Sequence, residues 1–169
     1  MAAADLLMGN VVQKVYVASL THKSAFQHIK KRGRIWRCDV FKACFLSEKM
    51  AGWNASLSTH MPLKKQCVYP STKTQTPQTH TKQTAGNSVL IYQGLILSKR
   101  FSKKAVVRNK ARRILKEAFR AALLQTGPVA CNAQVVIIPT PLLLQSSFQK
   151  IVTDFLKALP VITGTKVRL

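Results

Sequence analysis

Apolar positions in the first third of the chain predict one helix followed by one strand. Thr21 precedes a short basic segment in which Phe26 and Ile29 share a face, and Gly33 follows it. This is the order of an N-cap, a helix and a glycine stop. Residues 36–46 then alternate imperfectly between apolar and polar positions, which predicts a strand with one buried face.

Apolar patterns in the second half predict a strand, a helix, a strand and a helix. Residues 88–98 form a nearly continuous apolar run, and we expect its second half to be the strand. A long amphipathic helix follows and stops before Gly127. Residues 134–138 form a β-branched strand, and residues 147–159 show helical spacing up to Pro160. The order helix, strand, strand, helix, strand, helix predicts an α+β fold, a small two-layer sandwich with helices packed on one sheet.

One domain with tails fits the length of the chain. Residues 72–84 are polar and repetitive, so they cannot bury enough surface to offset their ordering entropy. We expect a disordered, low-complexity insert at about 48–87 within a single domain at 20–160, because each flank alone is too small to hold a core. Residues 1–19 are expected to be a poorly ordered extension, with an organelle transit peptide as the alternative, and residues 161–169 a tail.

The charge balance indicates a polyanionic partner. The chain of 169 residues has 27 Lys and Arg against 5 Asp and Glu, a formal net charge of +22. A compact chain with this charge repels itself, and nucleic acid is the first candidate to compensate the repulsion. An anionic membrane surface is the second, and charge alone does not separate the two. No run of about 18 apolar residues occurs, so no membrane-spanning segment is expected.

The helix that begins at Ala105 concentrates this charge on one side. A helical wheel, at about 100 degrees per residue, places its apolar residues on one arc and its basic residues on the adjoining arc. The basic arc contains Arg108, Asn109, Arg112, Arg113, Lys116 and Arg120. Like charges four residues apart destabilise a free helix, whereas phosphates would turn the repulsion into attraction. We therefore expect the apolar arc to pack on the sheet and the basic arc to bind a nucleic acid.

Residues that could perform catalysis or hold a metal are scattered along the chain. Metal-assisted cleavage by a protein needs clustered carboxylates. The five acids are Asp5, Asp39, Glu48, Glu117 and Asp154. The four cysteines form no Cys-x-x-Cys pair and no histidine falls at a ligand spacing, which favours reduced thiols over a zinc site. We therefore expect neither a catalytic residue nor a metal site in the protein.

Residues 94–100 and 105–120 resemble the protein subunit of bacterial ribonuclease P. The first stretch, Gly-Leu-Ile-Leu-Ser-Lys-Arg, is similar to a Gly-Leu-x-x-Ser-Lys-Lys pattern at the end of a strand in that family. The second is similar to the family's arginine-asparagine signature helix almost position for position. Residues 21–33 resemble its opening helix, with Phe26 in the place of an aromatic residue. The resemblance covers most of residues 20–160 apart from the insert.

The resemblance implies a ribosomal-protein-like fold, with a mixed sheet and a left-handed crossover. It implies two RNA partners, the catalytic RNA and the precursor tRNA whose 5′ leader that RNA removes, so the chain would be the accessory subunit of an endoribonuclease. The RNA and its bound Mg²⁺ would perform the hydrolysis, and the protein alone would hold no cofactor. The residues expected to bind RNA are Lys99, Arg100, Lys103, Lys104, Arg108, Asn109, Lys110, Arg112, Arg113, Lys116 and Arg120.

The resemblance also implies a cleft between the first helix and the sheet that takes the single-stranded leader. Phe26 and Phe41 are the candidates to line this cleft by stacking, with plain core packing as the alternative for both. Lys30 stands where the family often has a second aromatic residue, and Cys44 stands roughly where some members have Tyr. We therefore expect weaker stacking on the leader in this chain.

Two other functions are compatible with the charge and the order of elements. One is a structural ribosomal protein of similar fold, and the other is a DNA-binding module that uses the basic helix in a groove. A bacterial cytoplasm is the expected compartment, with an organelle as the alternative. No membrane partner is expected, and the sequence does not indicate a protein partner.

Overall fold

Runs of β-branched and aromatic residues form the strands of one mixed sheet, and the amphipathic segments form the helices beside it. The computed structural model of the chain describes residues 14–51, 66–67, 88–126 and 129–164. The strands are β1 (Lys14–Ser19), β2 (Arg34–Arg37), β3 (Phe41–Ser47), β4 (Gln66–Cys67), β5 (Ser88–Leu95) and β6 (Ala133–Pro139). The helices are α1 (Lys23–Arg32), α2 (Ala105–Thr126) and α3 (Phe148–Thr163), with a short 3₁₀ helix at Pro141–Leu144.

The strand order across the sheet is β2-β3-β6-β5-β1-β4. The three central strands β6, β5 and β1 run parallel to one another, and the remaining pairs are antiparallel. Helix α2 is the crossover between the adjacent parallel strands β5 and β6. The predicted α+β class is confirmed, and the sheet is mixed as expected.

The helices divide between the two faces of the sheet. Helices α2 and α3 pack against each other and on one face, where the main core includes Phe41, Phe119 and Phe155. Helix α1 packs on the opposite face, where a second cluster contains Ile29, Cys44 and further apolar side chains. Over part of the sheet, α1 therefore adds a third layer to the two that were predicted. We refer to the two sides as the α2 face and the α1 face.

The N-terminal boundary was predicted wrongly. Lys14–Ser19, which the sequence analysis assigned to a poorly ordered extension, is strand β1 and pairs with β5 along its whole length. Val15 and Val17 of this strand belong to the core. Residues 1–13 lie outside the described residues. The short apolar alternation of β1 has no local partner, because β5 lies about seventy residues further along the chain.

Four local boundaries also differ from the expectation. The single strand expected at 36–46 is a hairpin, since Cys38 donates its backbone N–H to the carbonyl oxygen of Phe41 at 3.0 Å and turns the chain. The first part of the 88–98 run is the strand, not the second. The N-cap of α1 is His22 and not Thr21. Helix α3 continues through Pro160 to Thr163, into part of the expected tail.

The expected insert begins and ends beside Asn132. The side-chain oxygen of Asn132 accepts the backbone N–H of Leu90 at 2.8 Å, and its side-chain nitrogen donates to Glu48 at 2.9 Å. The strands before and after the insert therefore lie close together in the same sheet. Within the insert, Gln66–Cys67 form β4 and pair with β1, and residues 52–65 and 68–87 lie outside the described residues. None of the described helices is long and apolar enough to cross a lipid bilayer.

Candidate RNA interface

Helix α2 separates its apolar and basic residues as the helical wheel predicted. Its inward side buries Ala111, Leu115, Ala118, Phe119, Ala122 and Leu123 in the core. Of the eleven residues expected to bind RNA, nine are exposed, whereas Arg108 and Arg120 are half-buried. The buried side holds the helix on the sheet and the basic side faces solvent. We call the exposed and half-buried residues of this set the signature surface.

Arg108 fastens the loop before α2 to the first turn of the helix. Its Nη1 donates to the carbonyl oxygens of Ser102 at 2.8 Å and Lys103 at 2.9 Å. The backbone N–H of Lys104 is held in turn by the hydroxyl of Ser102 at 3.3 Å. Sequence reasoning treated Arg108 only as an RNA ligand. In the structure it also positions the loop that carries Lys103 and Lys104.

Asn109 orients Arg112 one turn further along the helix. The side-chain oxygen of Asn109 accepts a hydrogen bond from Nη1 of Arg112 at 2.6 Å, and both side chains are exposed. An arginine held in this way keeps a planar set of further donors for a phosphate. Arg108 and Asn109 therefore fix two guanidinium groups. That of Arg108 lies against the loop before α2, and that of Arg112 lies on the exposed side of the helix.

Acidic partners are scarce on the signature surface. Among the described residues, the ion pairs within 4.0 Å are Arg120 with Glu117 at 3.6 Å and Lys150 with Asp39 at 4.0 Å. Only the first pair touches the signature surface, and Glu117 is 64% exposed, so solvent screens it. The other cations of this surface repel one another without a neutralising carboxylate in the described part of the chain.

Phe26 lies where the resemblance implies a leader cleft. It projects from α1, is half-buried and packs against the apolar cluster of the α1 face. A Cβ atom on Gly94 would lie 2.6 Å from Cε1 of Phe26, so only glycine lets the ring approach strand β5 this closely. Leu20 adjoins the same point at 3.1 Å. One part of the ring therefore rests on the sheet and another remains accessible.

The assignment of Phe41 to the leader cleft was wrong. Phe41 is fully buried on the α2 face, where it stacks on Phe155 with ring centroids 4.2 Å apart. Side chains alternate between the two faces of a strand, so the neighbour of Phe41 faces α1 instead. That neighbour is Lys42, and it is half-buried. Cys44, two residues on, does face α1 and is buried there.

Sequence reasoning missed the row of side chains that lies across the α1 face beside Phe26. Strand register places Arg37 opposite Lys42, and Lys42 opposite Ile138. Ile96 follows just past the end of β5, where its backbone N–H donates to the carbonyl oxygen of Ile137 at 3.0 Å. The row therefore passes from two cations to two aliphatic side chains. A lysine inside the otherwise buried strand β3 was the signal in the sequence.

Two of the described cysteines, Cys38 and Cys131, have shifted pKa values. Burial raises the pKa of the Cys38 and Cys131 thiols above their ordinary value. The thiol of Cys131 donates to the carbonyl oxygen of Thr163 at 2.9 Å. Both groups are therefore neutral, structural thiols at neutral pH. In the part of the chain that the structure describes, His, Cys, Asp and Glu form no group of three that could hold a metal ion.

The family of the chain is identified by a sequence-family model. A comparison with curated protein sequences gives no match. The chain is similar to the solved RNase P protein of Staphylococcus aureus, at 15% identity over 85% of this chain and 93% of that chain with a TM-score of 0.48. It is also similar to the RNase P protein from Thermotoga maritima, at 18% identity over 81% and 90% with a TM-score of 0.49. The sequence model of the Ribonuclease P family matches residues 17–162, and the chain therefore belongs to the ribonuclease P protein family.

Proposed function

We propose that the chain binds the catalytic RNA of ribonuclease P through the signature surface. The observation that carries this proposal is a row of exposed cations that form no ion pair with a described carboxylate, on a helix whose other side is buried in the core. A rigid helix loses little entropy when its arginines meet phosphates, and each neutralised phosphate releases a counterion. The loop held by Arg108 adds four cations at the start of the helix, where the helix dipole also favours anions.

The α1 face would take the single-stranded 5′ leader of precursor tRNA. Phe26 offers an accessible ring for a base, and the floor beside it is formed by aliphatic side chains. Base stacking on an aromatic ring is tolerant of sequence, which suits leaders that differ from one precursor to the next. The two surfaces lie on opposite faces of the sheet, so the protein would hold the enzyme's RNA on one side and the substrate on the other.

In this proposal the protein supplies binding and the RNA supplies the cleavage. Mg²⁺ held by the catalytic RNA would activate the water and stabilise the leaving oxygen. The protein would lower the Mg²⁺ requirement, because its cations neutralise phosphates that otherwise repel one another in the folded RNA and at the substrate.

Reconstitution with ribonuclease P RNA tests this function. The protein should increase precursor-tRNA cleavage by its RNA partner at low Mg²⁺, where RNA alone is slow, and the gain should shrink as Mg²⁺ rises. A chain with the signature surface neutralised provides the control. No gain over RNA alone, together with stable co-sedimentation with a ribosomal subunit, would instead favour a structural ribosomal protein.

A further inference from the structure

Two like charges face each other at the open edge of the α1 face. Arg37 on β2 and Lys42 on β3 are direct partners in the antiparallel register, next to the turn that Cys38 closes. Both side chains lie on the α1 face, because Trp36 and Phe41, their chain neighbours, pack in the core of the α2 face. Directly opposed side chains have Cβ atoms about 5 Å apart, and like charges at that position destabilise the pair.

The acidic residue nearest to this pair in the chain has another partner. Asp39, in the turn between the two strands, lies 4.0 Å from the ammonium of Lys150. Neither Arg37 nor Lys42 forms an ion pair with another described residue within 4.0 Å. Arg37 is exposed and Lys42 half-buried, so both can meet a ligand from solvent. No carboxylate of the described residues therefore neutralises this pair.

The charged pair is continuous with the aromatic site. From Lys42 the row passes to Ile138 and then to Ile96, and the next row of the same face contains Gly94 beneath Phe26. With strands about 4.8 Å apart, the row from Arg37 to Ile96 spans roughly 14 Å. Cations therefore lie at the outer edge of the face, and apolar and aromatic groups lie at its centre.

We propose that Arg37 and Lys42 bind phosphates of the single-stranded RNA whose bases stack at Phe26. A single-stranded RNA bound across this face would direct its bases to the apolar centre and its phosphates to Arg37 and Lys42. Proteins commonly bind single-stranded nucleic acids in this way, with aromatic rings that stack on the bases and a basic groove that follows the backbone. The inference rests on the proposed function, since it assigns a path to the leader. It makes the β2–β3 hairpin part of substrate recognition.

The test uses the protein assembled with ribonuclease P RNA, and the double variant Arg37→Ala, Lys42→Ala. Binding of precursor tRNA with a leader is compared with binding of mature tRNA over a range of salt concentrations. The variant should lose about tenfold in affinity for the precursor, and its plot of log affinity against log salt should flatten by about 1.4, at about 0.7 per phosphate of a single strand. Affinity for mature tRNA and for the catalytic RNA should not change.

The matched control removes two exposed cations elsewhere, Lys49→Ala and Lys157→Ala, and should leave precursor binding unchanged. The melting temperature of the Arg37, Lys42 variant should stay the same or rise, because a repulsive pair is removed. Equal losses for precursor and mature tRNA, or an unchanged affinity for the precursor, would overturn the inference. If wild-type protein gives no preference for the leader at all, the proposed function of the α1 face fails as well.

Discussion

The signature surface and the α1 face are two basic surfaces on opposite sides of one sheet, and they are built in different ways. The signature surface comes from one helix and the loop before it, so its cations are close in sequence and in space. The α1 face combines α1 with side chains of β2, β3, β5 and β6, and its two opposed cations meet only because the strands pair in register.

Because of this difference, the signature surface can be predicted from residues that are close in sequence, whereas the α1 face depends on residues that are far apart in sequence. Charge on a helix follows from spacing alone, and the burial of α2 matches the wheel. Charge on a sheet face depends on strand parity and on partners far along the chain. The two surfaces also differ in how they are held in place. Six buried residues anchor α2, whereas the position of the Phe26 ring depends on the single residue Gly94. Substitutions should therefore affect the two surfaces separately unless they reach the shared core.

The largest effect is expected from Phe155→Ala. Phe155 is fully buried, stacks on Phe41 of β3 and meets Phe119 of α2 edge-on with centroids 5.3 Å apart. Its removal leaves a cavity beneath both elements and should lower the free energy of unfolding by about 3 to 5 kcal/mol. Denaturant titration measures this change in the free energy of unfolding. Phe148→Ala on the same helix, where the ring is 43% exposed, should change it by less than about 0.5 kcal/mol and is the control.

An intermediate effect, confined to the α1 face, is expected from Gly94→Ala. The new methyl group would collide with Cε1 and Cζ of Phe26, at 2.6 and 2.8 Å, and push the ring off the sheet. We expect a loss of about 1 to 3 kcal/mol in unfolding free energy and a loss of the preference for precursor over mature tRNA. Affinity for ribonuclease P RNA should stay the same.

Gly164→Ala is the matched control for this variant. Gly164 has φ of 66° at the end of α3 and no atom near its Cβ position, so alanine there is strained by about 1 kcal/mol without contact with either surface. If Gly164→Ala lowers the leader preference as much as Gly94→Ala does, general instability and not the position of Phe26 explains the loss.

The smallest effect is expected from Arg108→Lys. Lysine keeps the charge but cannot reproduce the guanidinium bridge to the carbonyl oxygens of Ser102 and Lys103. The loop before α2 should exchange its amide hydrogens faster, and affinity for ribonuclease P RNA should fall by a few fold, with little change in the salt dependence. Arg112→Lys retains the loop contacts and should leave loop exchange at the wild-type rate, whereas faster exchange in both variants would contradict the role given to Arg108.

Sequence reasoning recovered the parts of this molecule that depend on neighbours in the chain. The boundaries of α2, its two-sided character and the stop of α1 at Gly33 follow from helical spacing and local chemistry. At Gly33 an added Cβ would overlap the carbonyl oxygen of Ile29 and lie 2.8 Å from that of Phe45, so glycine is required by the close approach of α1 to β3 and not by a positive φ. The residue was identified correctly, but the sequence could not supply this reason.

The errors occurred where distant partners decide the outcome. Phe41 was a candidate for the leader cleft only through the family resemblance, and the alternative of core packing is the correct one. Strand parity, which depends on the pairing of β3 with β2 and β6, turns Phe41 to the α2 face and Lys42 to the α1 face. Strand β1 was missed, and the wrong half of the 88–98 run was chosen, because the partners of these two strands, each other and β6, lie far away in the chain. Pro160 does not end α3, since Ile162 and Thr163 beyond it are fully buried.

The most direct test of the account is the salt dependence of binding to ribonuclease P RNA. The triple variant Arg112→Ala, Arg113→Ala, Lys116→Ala removes three exposed cations of the signature surface, and Lys49→Ala, Lys150→Ala, Lys157→Ala removes the same formal charge elsewhere. We predict that the plot of log affinity against log salt flattens by about 2 to 3 in the first variant and by much less in the second, at roughly 0.7 to 0.9 per phosphate contact. Equal flattening in the two variants would mean that net charge, and not the signature surface, binds the RNA.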